Sequence, residues 1–316
     1  MRTLARILAW SLLAVLAAAG LLAAVYWVPD RPVGELKARW APPPSQFVEI
    51  AGMQVHLRDE GPRDDAAPIV LLHGTSASLH TWEGWAQVLS KHRRVIRYDL
   101  PGFGLTGPAP DADYSIERYV QVLIAVMDKL GVQHAVVGGN SLGGGIAWAA
   151  AVFHSERVER LILVDAGGYP FESVSKPIGF RIAQIPVLGP LAIHVLPRGV
   201  IESSVRNVYG DPSKVTPELV DRYYELTTRA GNRDALVARM QQQEPGALAQ
   251  HIHELKQPTL ILWGGRDRLI PPEFAQRFNH DIAGSRLVVF DDLGHVPQEE
   301  DPARTVQAVE EFLAQP

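Results

Sequence analysis

Short apolar runs alternate with a longer amphipathic stretch over the middle of the chain. Residues 69–72 and 135–138 contain no polar side chain, and residues 158–165 form a third, mostly apolar run. In residues 116–130, apolar side chains recur every three or four positions. The short runs predict strands that are buried on both faces, and the amphipathic stretch predicts a helix. Strands that alternate with helices predict a parallel sheet.

The pattern changes at both ends of this region. Residues 47–50 and 53–57 flank Ala51-Gly52 and predict a hairpin with a two-residue turn. After residue 170 the alternation stops, and three segments look mainly helical: 205–209, 217–229 and 233–243. It returns after residue 256, with strands predicted at 259–264 and 286–290 and a closing helix at 303–314. We therefore predict a core of residues 46–170 and 256–316, interrupted by a helical cap of residues 171–255.

Residues 178–197 within this cap are apolar and interrupted by Pro186, Pro190 and Pro197. Such a stretch is typical of short cap helices that pack against one another. A second interpretation is an apolar lid over a substrate channel, in contact with a membrane. The sequence leaves both open.

The first 28 residues have a different character from the rest. Residues 7–28 carry no charge, and a helix of that length spans about 33 Å, enough for a bilayer core. Arg2 and Arg6 precede it, and Tyr26 and Trp27 would lie at the membrane interface. We predict an anchor in residues 1–28, in a bacterial inner membrane with the catalytic domain in the periplasm. A cleaved signal peptide and a secreted protein are the alternative.

Residues 29–45 contain five prolines and predict an extended tether between the anchor and the core. Two features of the composition limit the possible functions. A net charge of −5 gives no support to nucleic-acid binding. The chain has no cysteine, which excludes disulfides, thiolate metal sites and a cysteine nucleophile.

The strongest chemical motif is Gly139-Asn140-Ser141-Leu142-Gly143. It follows the predicted strand 135–138 and precedes a small-residue stretch that predicts a helix. A serine on so tight a turn needs glycines two residues away on each side, because a side chain there would clash. The pattern predicts Ser141 as a nucleophile.

A serine nucleophile needs a histidine base and a carboxylate that orients the histidine. Asp267 follows the predicted strand 259–264, and His295 follows the strand 286–290, in the chain order expected of this arrangement. Asp165, also at a strand end, is a rival for the carboxylate. A structural Asp267 that bonds only its own loop is a further alternative.

Acyl transfer also needs two backbone N–H groups that face the developing oxyanion. Leu142, directly after the nucleophile, should supply one of them. The other should come from the loop after His73-Gly74, which follows the strand 69–72, and Thr75 is the candidate.

Together these motifs resemble the α/β-hydrolase fold family, over residues 45 to 314. The motifs that carry the resemblance are the Ser141 pentapeptide and four others: His73-Gly74, Asp99 to Gly104, Gly264 to Asp267, and Gly294-His295. The resemblance implies an eight-stranded, mostly parallel sheet, helices on both faces and a cap after the sixth strand. It also implies that His73 shapes the oxyanion loop and that Asp99 stabilises its turn.

We predict a carboxylesterase or lipase that acts on a small-molecule ester or a lipid, and that needs no metal or organic cofactor. The alternative is a C–C bond hydrolase that resembles the meta-cleavage-product hydrolases. The elbow and the segment 211–219 suit that family, but Val296 replaces the tryptophan usual after its catalytic histidine. A non-catalytic binding protein of the same fold is the second alternative. The oligomeric state stays open.

Two histidines and an arginine of the cap region are further candidates for a site. His251 and His253 lack a third ligand with metal spacing, so the sequence favours solvated linker residues. Arg233 either contacts a substrate carboxylate or lies in water, and the sequence slightly favours water.

Overall fold

The computed structural model describes residues 2–185 and 193–315. Eight strands form one sheet in the order β1-β2-β4-β3-β5-β6-β7-β8, and only the pairs of β2 with its two neighbours are antiparallel. The strands are, in chain order, Gln46–Ile50, Met53–Glu60, Ile69–Leu72, Val95–Tyr98, Ala135–Asn140, Val158–Val164, Thr259–Gly264 and Arg286–Phe290. The eight-stranded, mostly parallel sheet that the resemblance implies is thus confirmed.

Helices precede the sheet, cover its faces and fill the region between β6 and β7. Among the described residues the α-helices are, in chain order, α1 to α12: Arg2–Tyr26, Val33–Trp40, Glu83–Leu89, Ile116–Lys129, Leu142–Phe153, Ile178–Ala183, Arg198–Val208, Pro217–Thr227, Asn232–Gln241, Glu273–Asp281, Pro297–Glu300 and Pro302–Leu313. Four of these, α6 to α9, lie between β6 and β7. The helical cap is predicted there, and its exact boundaries remain a prediction.

The sheet divides the core into two apolar layers. On β3, Ile69 and Leu71 belong to one layer, and Val70 and Leu72 belong to the other. This split follows from the alternation of side chains along a strand, and it explains why the run contains no polar residue. Helices α3 and α12 cover the first layer, whereas α4 and α5 cover the second.

Two local predictions are confirmed by the backbone. Ala51 and Gly52 both have positive φ values, 52° and 77°, and join β1 to β2 in the predicted hairpin. The amphipathic helix begins at Ile116, where the Ser115 side chain accepts a hydrogen bond from the Arg118 N–H, and its last residue is Lys129. The cap stretch 178–197 can be followed only in part, because Pro186 and Pro190 lie outside the described residues.

The prediction of an extended tether at residues 29–45 is wrong in its middle part. Residues Val33–Trp40 form α2, and its side chains Leu36 and Trp40 are buried. These two lie one turn apart and pack together with Leu226 of the cap helix α8. Trp40 Nε1 also donates to Glu225 Oε2 (2.6 Å). The proline count misled the prediction because apolar residues with helical spacing decide this segment.

The prediction that Arg233 lies in water is also wrong. It is only 1% exposed, and its Nη2 pairs with Asp30 Oδ1 (2.5 Å) and donates to the Val28 carbonyl (2.7 Å). This arginine thus ties the segment after α1 to the cap. The histidines His251 and His253 lie in a short 3₁₀ helix, Ala249–Glu254, and not on a strand.

Candidate active site

Ser141 lies at the turn between β5 and α5, with φ 55° and ψ −114°. A Cβ at Gly139 would collide with the Gly143 carbonyl, and a Cβ at Gly143 would collide with the Leu72 carbonyl. The glycines on both sides of the serine are therefore required by close backbone approach, as the motif predicts. The Ser141 hydroxyl makes no capping hydrogen bond to α5, so it is not occupied by the helix that it precedes.

The structure brings Asp267 and His295 together. Asp267 Oδ2 and His295 Nδ1 are 2.6 Å apart, and both side chains are buried. The other oxygen of Asp267 accepts the backbone N–H groups of Leu269 (2.8 Å) and Ile270 (3.0 Å). Asp267 therefore bonds its own loop and orients the histidine at the same time, because each carboxylate oxygen serves one of the two.

Asn140 links the histidine loop to the nucleophile turn, and the sequence analysis gave it no role. Its Nδ2 donates to the His295 carbonyl (2.9 Å) and to the Val164 carbonyl (3.2 Å). Because Asn140 directly precedes Ser141, these two bonds hold the serine turn against the histidine loop. Its place in the pentapeptide was the one signal that could have identified it.

Glu300 is a second residue to which no sequence motif points. Its carboxylate accepts the backbone N–H groups of Gly210 (2.9 Å), Asp211 (2.8 Å) and Gly294 (2.9 Å). Gly294 precedes His295, whereas Gly210 and Asp211 follow α7 of the cap. Glu300 thus joins the cap to the histidine loop. His295 N also donates to the Val208 carbonyl (2.8 Å), which reinforces this junction.

Asp165, the rival carboxylate, has a different environment. Its Oδ1 accepts the Gly264 N–H (3.0 Å), and its Oδ2 has no partner among the described residues. Burial raises the pKa of Asp165 well above its usual range, and the negative charge of the neighbouring Asp267 raises it further. A protonated Asp165 can donate a hydrogen bond to Asp267. Of the two carboxyl groups, Asp267 is the one that contacts the imidazole of His295.

Asp165, Asp267 and His295 also form a group that could hold a metal ion, because their ligand atoms lie within 4.8 Å of one another. The direct contact between His295 Nδ1 and Asp267 Oδ2 fits a hydrogen-bonded imidazole–carboxylate pair, with a donor facing an acceptor. An ion would have to separate these two atoms. We therefore interpret the group as an acid–base arrangement.

His73 is held in one orientation by its two ring nitrogens. Nδ1 donates to the Gly74 carbonyl (2.7 Å), and Nε2 accepts the Leu100 N–H (2.9 Å). Burial lowers the pKa of His73, which keeps the ring neutral. Both nitrogens are occupied, so His73 shapes its loop, as the resemblance implies.

Asp99 stabilises the turn after β4. It accepts the backbone N–H groups of Leu79 and Leu105, each at 2.7 Å, and it contacts His56 Nδ1 at 2.7 Å. Burial alone would raise the pKa of Asp99, but the adjacent His56 holds it below its usual range. The hydrogen bonds of the Asp99 carboxylate therefore all stabilise the local structure of this turn.

Two cavities meet near the nucleophile. Ser141, Leu142 and Thr75 line a cavity of about 240 Å³, together with residues of the cap. A second cavity of about 90 Å³ shares Thr75 and is lined mainly by apolar side chains of α6 to α9. Both residues predicted for the oxyanion hole therefore lie around the same space as Ser141.

Comparison with known proteins agrees with this fold. Residues 67–302 match the alpha/beta hydrolase fold family. The chain is 33% identical to a 2-hydroxy-6-oxo-2,4-heptadienoate hydrolase of Pseudomonas putida, over 85% of this chain and 96% of that protein. The chain belongs to the α/β-hydrolase fold family.

Three solved structures are similar. One is a meta-cleavage product hydrolase from Pseudomonas fluorescens, with 29% identity, a TM-score of 0.74, and 85% and 96% of the two chains covered. Another is a thermophilic esterase from Thermogutta terrifontis, with 27% identity and a TM-score of 0.70. The match covers 85% of this chain and 98% of that chain. The third is a bacterial membrane phospholipase A, with 24% identity and a TM-score of 0.73. It shares the fold over 97% of both chains.

Proposed function

We propose that this α/β-hydrolase is a membrane-anchored serine hydrolase of carboxylic esters. The observation that carries the proposal is the apolar cavity next to Ser141. It begins at Thr75 and reaches Ile193 and Leu196. Leu196 N donates to the Tyr26 carbonyl at the end of α1 (3.2 Å). An apolar chain that leaves a membrane beside α1 would therefore find an apolar space that leads to the nucleophile.

In the proposed reaction, Ser141 Oγ attacks the ester carbonyl carbon and His295 takes its proton. The N–H groups of Leu142 and Thr75 stabilise the oxyanion, and Asp267 stabilises the imidazolium that forms. His295 then protonates the leaving alcohol, which leaves an acyl group on Ser141. Water, activated by His295, releases the acid and restores the serine.

The membrane part of the proposal rests on α1. Residues Arg6–Tyr26 are long and apolar enough to cross a membrane, with a mean hydropathy of 2.3. Beyond α1, the cap side chains Val174, Ile178 and Ile185 are also exposed. An apolar lid of this kind would lie against the bilayer surface and open toward it. Protease access in spheroplasts tests the orientation, and a protected catalytic domain would contradict a periplasmic location.

A C–C bond hydrolase is the second candidate, because the relative at 33% identity is named for a dienoate. Val296 argues against it. This side chain replaces the tryptophan of that family, is 5% exposed, and packs with Leu196 and Ile201 in an apolar cluster of the cap.

The deciding experiment compares 4-nitrophenyl esters of two to twelve carbons with a meta-cleavage dienoate. We expect the six- to ten-carbon esters to be the best substrates. A Leu196→Trp variant should lower kcat/KM for these esters by roughly tenfold and leave the acetate nearly unchanged, because it fills only the apolar cavity. Turnover of the dienoate far above every ester would establish the second candidate instead.

A binding protein without catalysis is tested with a fluorophosphonate probe. We expect the probe to label the wild-type chain and not Ser141→Ala. An unlabelled wild-type chain that behaves like the variant would show that the fold has no serine hydrolase activity here.

A further inference from the structure

The cavity that contains Ser141 is electrostatically one-sided. Two charged side chains line it among the described residues, Arg239 and Lys176, and both are cationic. No described carboxylate lines this cavity. The rest of the lining is apolar or uncharged, with Phe171, Phe180 and Met240 among the larger side chains. Such a cavity favours a ligand that carries negative charge.

Arg239 is the unusual member of this pair. It lies on α9, is 7% exposed, and its Nε has no hydrogen-bond partner among the described residues. Burial lowers the pKa of Arg239, and the one described side chain that opposes this shift is the Tyr119 phenol. The guanidinium nevertheless stays charged at neutral pH, because the pKa of arginine begins so high.

The other buried guanidinium of α9 behaves differently. The Nε of Arg233 also has no described partner, but its Nη2 pairs with Asp30 and donates to the Val28 carbonyl, as expected of a structural arginine. No described carboxylate pairs with Arg239, and this is the difference between the two. A buried cation without a carboxylate partner costs stability, and a strongly perturbed charged group that lines a cavity is a candidate for contact with a ligand. Arg239 also lines a third cavity, of about 240 Å³, which shares Leu142 and Phe171 with the Ser141 cavity. Glu117 and Glu244 are the described carboxylates of that third cavity.

We propose that Arg239 forms an anion subsite of the Ser141 cavity, and that the preferred ester therefore carries a carboxylate or phosphate group. This inference rests on the proposed ester hydrolysis at Ser141 and adds the substrate class. The guanidinium presents a planar set of N–H donors, which suits both anions. Lys176 is exposed, so it attracts the anion toward the cavity but contributes less to its binding.

Matched ester pairs test the proposal. The carboxylate arm compares 4-(hexanoyloxy)benzoate with its methyl ester, and the phosphate arm compares 1-hexanoylglycerol 3-phosphate with 1-hexanoylglycerol. We expect a 10- to 100-fold higher kcat/KM for the anion in at least one arm, roughly the value of one charged hydrogen-bonded contact. The arm with the larger ratio identifies the source of the anion. Equal rates within both pairs would overturn the proposal.

Variants then assign the preference to Arg239. Arg239→Gln should reduce the anionic-to-neutral ratio to nearly one, whereas Arg239→Lys should keep part of it. Arg181→Gln, which removes an exposed arginine of α6, is the matched control and should leave the ratio unchanged. A ratio that persists in Arg239→Gln would overturn the assignment.

A binding measurement on the wild-type chain needs no turnover and no variant. Hexanedioate should raise the Tm, and hexanediamide at the same concentration should not, because binding to the folded state stabilises it. If no ester is turned over but hexanedioate still raises the Tm, the anion subsite stands and the proposed reaction fails. If esters are hydrolysed without anion preference or stabilisation, the subsite fails and the reaction stands.

Discussion

The two sides of the Ser141 cavity are built differently. On the core side, Thr75, Ser141 and Leu142 line the cavity. Asp267 and His295 follow strands of the same sheet, are buried, and have hydrogen-bond partners on each polar atom that positions them. On the cap side, the same cavity is lined by α6 and α9, with apolar side chains and an arginine whose Nε has no partner. The core side holds reacting groups in one geometry, whereas the cap side leaves contacts for a substrate to complete. The comparison suggests that reaction type and substrate choice reside in separate parts of the chain.

The largest effect is expected on the core side. Ser141→Ala should lower kcat for 4-nitrophenyl hexanoate by roughly 10⁵-fold, because the variant lacks the hydroxyl on which the proposed acyl intermediate forms. Ser173→Ala is the matched control, since Ser173 lines the same cavity away from the turn and should lose less than tenfold. Similar losses of kcat in both variants would contradict the proposed difference between the core side and the cap side.

The next effect concerns the orientation of the imidazole. Asp267→Asn should lower kcat by about 10⁴-fold, because an amide that donates to Nδ1 favours the wrong tautomer of His295. Asp291→Asn, at an exposed position after β8, should stay within twofold of the wild-type rate. Steady-state kinetics at constant pH measure both. A mild loss in Asp267→Asn would point to Asp165 as the orienting carboxylate.

The junction between the two sides is tested at Glu300. Glu300→Ala leaves three backbone N–H groups of the cap and the histidine loop without their acceptor. We expect a loss of about 3 kcal/mol in the free energy of unfolding, measured with urea. Glu310→Ala on the exposed face of α12 should change it by less than about 0.5 kcal/mol. Equal stability of both variants would show that cap and core are not joined here.

The smallest effect is a pH dependence at Asp165. Its pKa is higher in the folded state than in the unfolded state, so folding takes up a proton at any pH between the two values. Stability from this group is therefore complete below about pH 3.8 and is lost as the pH rises toward the folded value, by at most about 1.4 kcal/mol per pH unit.

Asp165→Asn removes this titration while its amide can still accept from Gly264 and donate to Asp267. Urea unfolding from pH 5 to pH 8 should show a flatter curve for the variant, and a free energy of unfolding about 1–2 kcal/mol higher at pH 8. Parallel curves for variant and wild type would contradict a protonated Asp165.

Much of the core side could be predicted because local rules govern it. A buried strand, a tight turn and a helix need particular residue types, so the glycines around Ser141 and the apolar run 69–72 were informative. Asp267 and His295 followed from their places after strands. The roles proposed for them and for Thr75 and Leu142 remain predictions that the experiments above test.

The predictions that were wrong or missing concern residues whose contacts are distant in sequence. The helix Val33–Trp40 was predicted as an extended tether, because the cap surface against which Leu36 and Trp40 pack is more than 180 residues away in sequence. Arg233 was placed in water for the same reason, since its partner Asp30 precedes the sheet. Asn140 and Glu300 contact segments that no local pattern relates to them.

The sequence by itself determined the alternation of strands and helices in the core, the serine turn, and which acid and histidine stand at strand ends, because these depend on neighbours in the chain. Tertiary structure alone decided which buried charges are paired. Arg233 and Arg239 lie on the same helix six residues apart, yet only Arg233 meets a carboxylate among the described residues. Pairing depends on packing between remote segments, and the sequence of one helix does not contain that information.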